Sequence, residues 1–239
     1  MSVHLDLERR PGRPVGPGPR SYALLEWVGR LGVAGVEPIW LALDMSRSVA
    51  YSHIARLCRH GLLLRVATHD ACGGAVAITP AGVRVSQEMS ATAVMAPRPQ
   101  AASLARHART VSWVAASMQR RGFDWAGPPQ LREQGNWRVT RDDHAQHSPD
   151  LGVIVDGRRL AVEVELQPKA KTRLLGILNG YRRATEAGQL DGVTYVCGRP
   201  DIARLVQSQS TRAELGDALE LGTVDQVIRR ARQPLDEHG

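Results

Sequence analysis

The sequence predicts a mixed α/β fold (α+β overall), with a helix-rich module followed by an α/β module. Three observations predict it. Apolar residues recur at helical spacing over 22–60. Two β-rich runs, Val153–Val155 and Leu160–Leu166, flank an Asp156-Gly157 pair that favours a tight hairpin turn. Over 171–197 an amphipathic helix precedes an apolar strand, which predicts a parallel strand-helix-strand unit.

Composition limits the classes of protein to consider. The chain has 239 residues, of which 43% are hydrophobic and 23% charged, as is typical of soluble globular proteins. It lacks any stretch of ~20 apolar residues that would span a membrane, and its first residues lack the apolar core of a secretory signal. Three cysteines without a C-x-x-C pair favour a reducing compartment. We therefore expect a cytoplasmic protein with no membrane partner.

The charge balance favours a polyanionic partner. Lysine and arginine number 31 against 24 aspartates and glutamates, a net charge of +7. A positive surface attracts nucleic acid, although it does not by itself identify one.

Composition shifts divide the chain into four segments. Residues 1–20 are rich in proline, glycine and arginine, which predicts a flexible arm. Residues 91–103 are rich in small residues and include two prolines, which predicts a linker. The linker separates an N-terminal module, 21–90, from a C-terminal module, 104–232.

The N-terminal module contains three predicted helices. The first spans 22–31 and the second about 36–43, after a glycine-containing break. A tight turn follows, and Ser46 caps a third helix that runs to about His60. Two short helices joined by a tight turn, the second polar on its outer face, are typical of a helix-turn-helix.

A predicted hairpin of Leu62–Val66 and Ala75–Thr79 follows the third helix. Its sequence, GLLLRV…AVAITPAG, resembles the winged-helix pattern in which a hairpin ends in T-P-x-G. The resemblance implies DNA binding, although some winged helices contact only proteins. The candidate DNA contacts are the outward residues: Arg47, Ser48, Tyr51 and Ser52 toward base edges, and Arg56 and Arg65 toward phosphates.

The hairpin of the C-terminal module brings carboxylates together. If Asp156 and Gly157 form the loop, Asp150 falls opposite Glu163; if the loop slips by one residue, it falls opposite Glu165. Either register places two carboxylates across from each other, with Cβ atoms about 5 Å apart. Like charges so placed are unfavourable unless something neutralises them.

Two interpretations of this acidic hairpin stay open. In the first, Asp150, Glu163 and Glu165 bind a hard divalent cation, Mg²⁺, which prefers oxygen ligands. In the second, the hairpin face is exposed and its acids pair with nearby cations, namely Arg158, Arg159 and Lys169.

The pair Pro149-Asp150, followed by Glu163-Val164-Glu165, resembles the P-D…E-x-K motif of the PD-(D/E)XK nuclease-like superfamily. The resemblance implies a nuclease-like α/β domain that uses Mg²⁺. It departs at the last position, where Glu165 replaces the lysine. Lys169 or Lys171 would then supply the cation, with Glu165 or Lys169 as base or charge stabiliser.

A resemblance to the replication-relaxation family covers most of the chain. It comprises the ITPAG segment after the hairpin, His107 one helical turn before Val111, H-x-P-D at 147–150, the EVEL…K segment and Tyr181. Such proteins are encoded on plasmids and other mobile elements of Gram-positive bacteria. The resemblance implies DNA binding tied to plasmid replication, relaxation or mobilisation.

Two functions are therefore predicted. The first is a DNA-binding protein of the replication-relaxation type that lacks robust cleavage, because the motif lysine is missing. The alternative is a Mg²⁺-dependent DNA endonuclease or nickase that uses Asp150, Glu163 and Glu165. The expected partner of either is duplex DNA. The sequence leaves the oligomeric state open between a monomer and a homodimer, although helix-turn-helix proteins often bind paired half-sites.

Overall fold

The structure is a computed structural model and describes these residues: 17–66, 74–90, 92, 94–96 and 102–233. Most of the predicted arm (1–20), the loop between the strands of the first hairpin (67–73) and much of the predicted linker (91–103) lie outside the described residues.

The described N-terminal part contains four helices and a three-stranded antiparallel sheet in the order β1–β3–β2. The elements are α1 (Pro19–Leu31), β1 (Val33–Gly35), α2 (Val36–Ala42), α3 (Arg47–Arg59), β2 (Leu63–Val66), β3 (Ala75–Ile78) and α4 (Pro80–Met89). The three predicted helices and the hairpin are confirmed. Strand β1 occupies the predicted glycine-containing break, where it pairs with β3.

Local signals explain where these helices begin. Pro19 occupies the first turn of α1, where its missing N–H would have no helical partner anyway. Ser46 caps α3 by accepting a hydrogen bond from the N–H of Val49 (3.4 Å). Thr79 caps α4 in the same way through the N–H of Gly82 (3.0 Å).

The elements of the C-terminal part are α5 (Ala102–Arg120), β4 (Asp124–Ala126), α6 (Pro128–Gln134), β5 (Val139–Thr140), β6 (Gln146–His147), β7 (Leu151–Val155), β8 (Arg158–Glu165), α7 (Lys171–Glu186), β9 (Gly192–Cys197), α8 (Pro200–Arg212), β10 (Leu219–Thr223) and α9 (Val224–Arg232). Five of these strands form a mixed sheet in the order β10–β9–β8–β7–β4. Strands β10, β9 and β8 are parallel, whereas β8, β7 and β4 are antiparallel. The predicted mixed α/β class is therefore confirmed.

The β7–β8 hairpin adopts the first of the two predicted registers. Asp156 and Gly157 form its loop with φ of 51° and 76°, and Val155 pairs with Arg158. Both loop residues having positive φ is characteristic of the two-residue turn that matches strand twist. At the other end the N–H of Asp150 donates to the carbonyl of Val162 (3.0 Å), so Asp150 precedes β7 opposite Glu163.

Helices cover both faces of the large sheet. Val162 and Val164 belong to a hydrophobic cluster that includes residues of α5 and α9. Ala161 belongs to a second cluster, with residues of α7 and α8. Because side chains alternate along a strand, Glu163 and Glu165 share the face of Ala161, away from Val162 and Val164.

The first hydrophobic cluster continues into the N-terminal part. It includes Trp27 of α1 and Ile54 of α3 together with Val114 of α5. The side chain of Gln119 on α5 adds polar contacts, accepting from the Nε1 of Trp27 (2.8 Å) and of Trp125 (3.2 Å). Helix α5 is thus packed between the small sheet and the large one.

Candidate functional site

Helix α3 has one buried and one exposed face. Ala50, Ile54 and Leu57 are fully buried, at the helical spacing that turns one side toward the core. In the first two turns of the helix Arg47, Ser48 and Ser52 are exposed. The structure therefore leaves three of the predicted DNA contacts exposed near the start of one helix.

The other predicted DNA contacts lie elsewhere. Tyr51 is half-buried against the core, and the guanidinium of Arg47 lies 5.6 Å from its ring centre. Arg56 is half-buried and already has an interaction partner. Arg65 is exposed on β2, the strand next to β3 in the small sheet. Tyr51 and Arg56 are therefore less accessible to a partner than Arg47.

Asp150 is held at the start of the second hairpin by backbone and side-chain contacts. Its Oδ2 accepts a hydrogen bond from the N–H of Val164 (2.8 Å) and lies 3.3 Å from Nε2 of His107. The same Nε2 is 3.1 Å from the carbonyl oxygen of Val164. Since both neighbours are acceptors, Nε2 of His107 carries the proton.

The environment of His107 raises its pKa above the ordinary histidine value. Burial alone would lower the pKa, but the hydrogen bond and charge of Asp150 and the carbonyl of Val164 outweigh burial. The contact between His107 and Asp150 therefore gains ionic character.

Glu163 is almost completely buried, with 3% of its surface exposed. Its Oε1 lies 2.5 Å from both the hydroxyl of Tyr181 and Nε2 of His147. Burial raises the pKa of Tyr181 well above its usual value, and the nearby negative charge of Glu163 is the second largest cause. Tyr181 therefore keeps its proton and donates a hydrogen bond to Glu163, and His147 contacts the same carboxylate oxygen.

Glu165 is also buried (7% exposed) and forms an ion pair with Lys169, which lies four residues further along the chain. Burial raises the pKa of Glu165, while Lys169 acts in the opposite direction. Lys169 and Lys171 are the two predicted sources of a cation in place of the motif lysine. Of the two, Lys169 forms an ion pair with Glu165, the residue at the position of that lysine. Lys171 is exposed at the start of α7.

Tyr195 is a member of this site that the sequence does not reveal. It lies on β9 directly beside Glu163 in the parallel register, so the two side chains share a face. Its hydroxyl is fully buried and has no hydrogen-bond partner among the described residues. Burial and the charge of Glu163 raise its pKa well above the usual value. Its place in an apolar strand is the reason that sequence pattern alone suggests packing.

The fit of a metal ion depends on how the carboxylates converge. Within the described ranges, no three His, Cys, Asp or Glu side chains form a group that would hold a metal ion. Asp150, Glu163 and Glu165 instead each contact a different protein donor: Val164 and His107, Tyr181 and His147, and Lys169. Binding Mg²⁺ by all three would therefore require these contacts to rearrange.

The comparisons with known proteins are few. No protein-family model and no curated protein matches the chain. Among solved structures, the crystal structure of protein VC1899 from Vibrio cholerae is similar, with a TM-score of 0.36 and 14% identity. The match covers 89% of this chain and 55% of that chain, so this chain spans about half of its length. Within the described residues, no helix is both long enough and apolar enough to cross a membrane.

Proposed function

We propose that this protein binds duplex DNA and is of the replication-relaxation type, acting in plasmid or mobile-element replication, relaxation or their regulation. Residues 21–90 would form a winged helix-turn-helix, with β2–β3 as its wing. Residues 104–232 would form a PD-(D/E)XK nuclease-like domain without robust cleavage. The observation that carries the proposal is the start of α3, where Arg47, Ser48 and Ser52 are all exposed.

The physical argument begins with the shape of α3. An α-helix fits the major groove, where arginine reads guanine and serine contacts any base edge. The contacting residues belong to the first turns of such a helix, and Arg47, Ser48 and Ser52 occupy the first turns of α3. The apolar face of α3 is fixed to the core, so the polar face is presented as a rigid surface.

The acidic hairpin supports binding without robust cleavage. Each of its three carboxylates already accepts hydrogen bonds or forms ion pairs within the protein. Glu165 occupies the position of the motif lysine, and the ammonium group of Lys169 forms an ion pair with Glu165. The proposal therefore assigns the C-terminal domain a scaffold or DNA-contact role.

Duplex binding is tested directly by fluorescence anisotropy. A labelled random-sequence duplex and the matching single strand are titrated with the protein at several salt concentrations. We expect tighter binding to the duplex, with an affinity that falls steeply as salt rises. Arg47→Glu should weaken binding, whereas Arg204→Glu on α8 serves as a matched exposed control. Absence of duplex binding at low salt would contradict the proposal.

A second candidate is a Mg²⁺-dependent endonuclease or nickase, in which the ammonium group of Lys169, paired with Glu165, would stand in for the motif lysine. Asp150, Glu163 and Glu165 would hold the metal. Bound Mg²⁺ would supply an activated water and offset charge on the phosphate.

Calorimetric titration of Mg²⁺ and Mn²⁺ into wild type and Asp150→Ala separates the two candidates, with supercoiled plasmid incubated in parallel. Metal binding that disappears in the variant, together with nicking by the wild type, would establish the nuclease. Intact plasmid with normal duplex binding would support the DNA-binding function instead.

A further inference from the structure

The first turns of α5 join the small sheet to the acidic hairpin. Ala108 packs against a cluster formed by Val33, Ala75 and Ala77, with Val66 at its edge. The preceding residue of the same helix, His107, contacts Asp150 and the backbone of Val164. Two neighbouring residues of one helix thus contact the two regions to which DNA binding and nuclease-like character are assigned.

The end of the β2–β3 hairpin that meets α5 is the end that carries its loop. Val66 is the last residue of β2 and pairs with Ala75, the first residue of β3. Both contact the cluster around Ala108. This end of the described hairpin therefore lies close to the acidic hairpin, because His107, the residue next to Ala108, contacts Asp150.

Arg106 is an exposed residue of α5 that directly precedes His107. Successive residues of an α-helix point about 100° apart. His107 points to Asp150, and the side chain of Arg109 lies against Gly35 of the small sheet. By that spacing, the direction of Arg106 falls between the directions of His107 and Arg109. Its side chain is exposed, although its neighbours Ala105 and Thr110 are buried.

We infer that Arg106 binds a phosphate of the same duplex that the wing contacts, so that the DNA backbone runs across the first turns of α5 past Asp150. This inference rests on the proposed DNA-binding function and assigns a third contact region to it. Charge complementarity supports it, because a guanidinium is a strong phosphate ligand. Glu163 and Glu165 are too deeply buried to face the backbone, and His107 stands beside Asp150.

The test measures contact and affinity separately. For contact, the photocrosslinking residue p-benzoylphenylalanine is placed at position 106 or, as a control, at position 204. Arg204 is also exposed and lies on α8, across the large sheet from α5. We expect a labelled duplex to crosslink at position 106 and not at position 204.

For affinity, Arg106→Glu and Arg204→Glu are compared on a random duplex. Arg106→Glu should weaken binding about tenfold, and Arg106→Gln should lower the salt slope by about 1. Thermal unfolding of each variant confirms that it folds, and Arg106→Gln replaces Arg106→Glu if the latter does not. If wild type binds the duplex but the variants at 106 and 204 behave alike, and position 106 gives no crosslink, this inference is wrong while the proposed function stands. Failure of wild type to bind any duplex would instead contradict the proposed function.

Discussion

The outer face of α3 and the acidic hairpin are both charged, but they hold their charges in opposite ways. On α3, Arg47 lies exposed at the start of a helix whose other face is fixed in the core. In the acidic hairpin, Glu163 and Glu165 are buried and each has a donor within the protein. The comparison indicates that burial and local partners, rather than charge alone, decide whether a group is available to a ligand.

The two regions should therefore fail in different ways when mutated. Removing a donor from a buried carboxylate leaves a desolvated charge without compensation, and this lowers the stability of the fold. Removing an exposed arginine leaves solvent in its place and changes stability little. Substitutions at the acidic hairpin should therefore lower the stability of the fold, and substitutions of exposed residues on α3 should lower the affinity for DNA.

The largest expected effect is on stability, from Tyr181→Ala. Tyr181 is fully buried and donates to Glu163, so the variant loses core packing and a hydrogen bond to a buried carboxylate. The free energy of unfolding should fall by about 3–5 kcal/mol, as for other large-to-small substitutions of buried aromatic residues. Urea denaturation followed by circular dichroism measures the change.

Tyr181→Phe is the matched control, because it keeps the ring and removes only the hydroxyl. It should cost about 1–2 kcal/mol, the part that belongs to the hydrogen bond. Equal stability of Tyr181→Phe and wild type would show that the carboxylate of Glu163 does not depend on this donor.

The parts of the acidic hairpin and its surroundings differ in how far the sequence predicts them. The β7–β8 hairpin is local: Asp156-Gly157 favours the turn, and the alternation of side chains then places Glu163 and Glu165 on one face. Sequence alone left two registers open for Asp150, and the structure adopts the one opposite Glu163.

Two of the donors to the carboxylates come from distant parts of the chain, unlike Lys169 and the N–H of Val164. His107 reaches Asp150 from α5, and Tyr181 reaches Glu163 from α7. Tyr181 lies on the apolar face of its helix, where packing is the simpler interpretation, and Tyr195 lies in an apolar strand. Only the three-dimensional packing of α5, α7 and β9 around the acidic hairpin shows that His107, Tyr181 and Tyr195 lie beside its carboxylates.

The next largest effect is on sequence-specific binding, from Arg47→Ala. A duplex selected from a random library provides the specific ligand, and an unselected duplex provides the reference. Loss of one base contact should cost about 1–3 kcal/mol on the selected duplex and less on the reference, so discrimination between bases falls. Arg59→Ala, at the exposed C-terminal end of the same helix, is the matched control. Equal losses on both duplexes would assign Arg47 to the phosphates instead.

The smallest expected effect is from Arg65→Ala on β2, which tests whether the hairpin contacts the backbone alone. Arg65 is exposed next to β3, and the proposed phosphate contact carries no base information. Affinity should fall by the same modest factor on selected and unselected duplexes, and the salt slope should decrease by about 1. Arg84→Ala on α4 removes an equally exposed arginine and should leave both quantities unchanged. A loss confined to the selected duplex would mean that Arg65 reads bases, and the division between α3 for sequence and the hairpin for backbone would then be wrong.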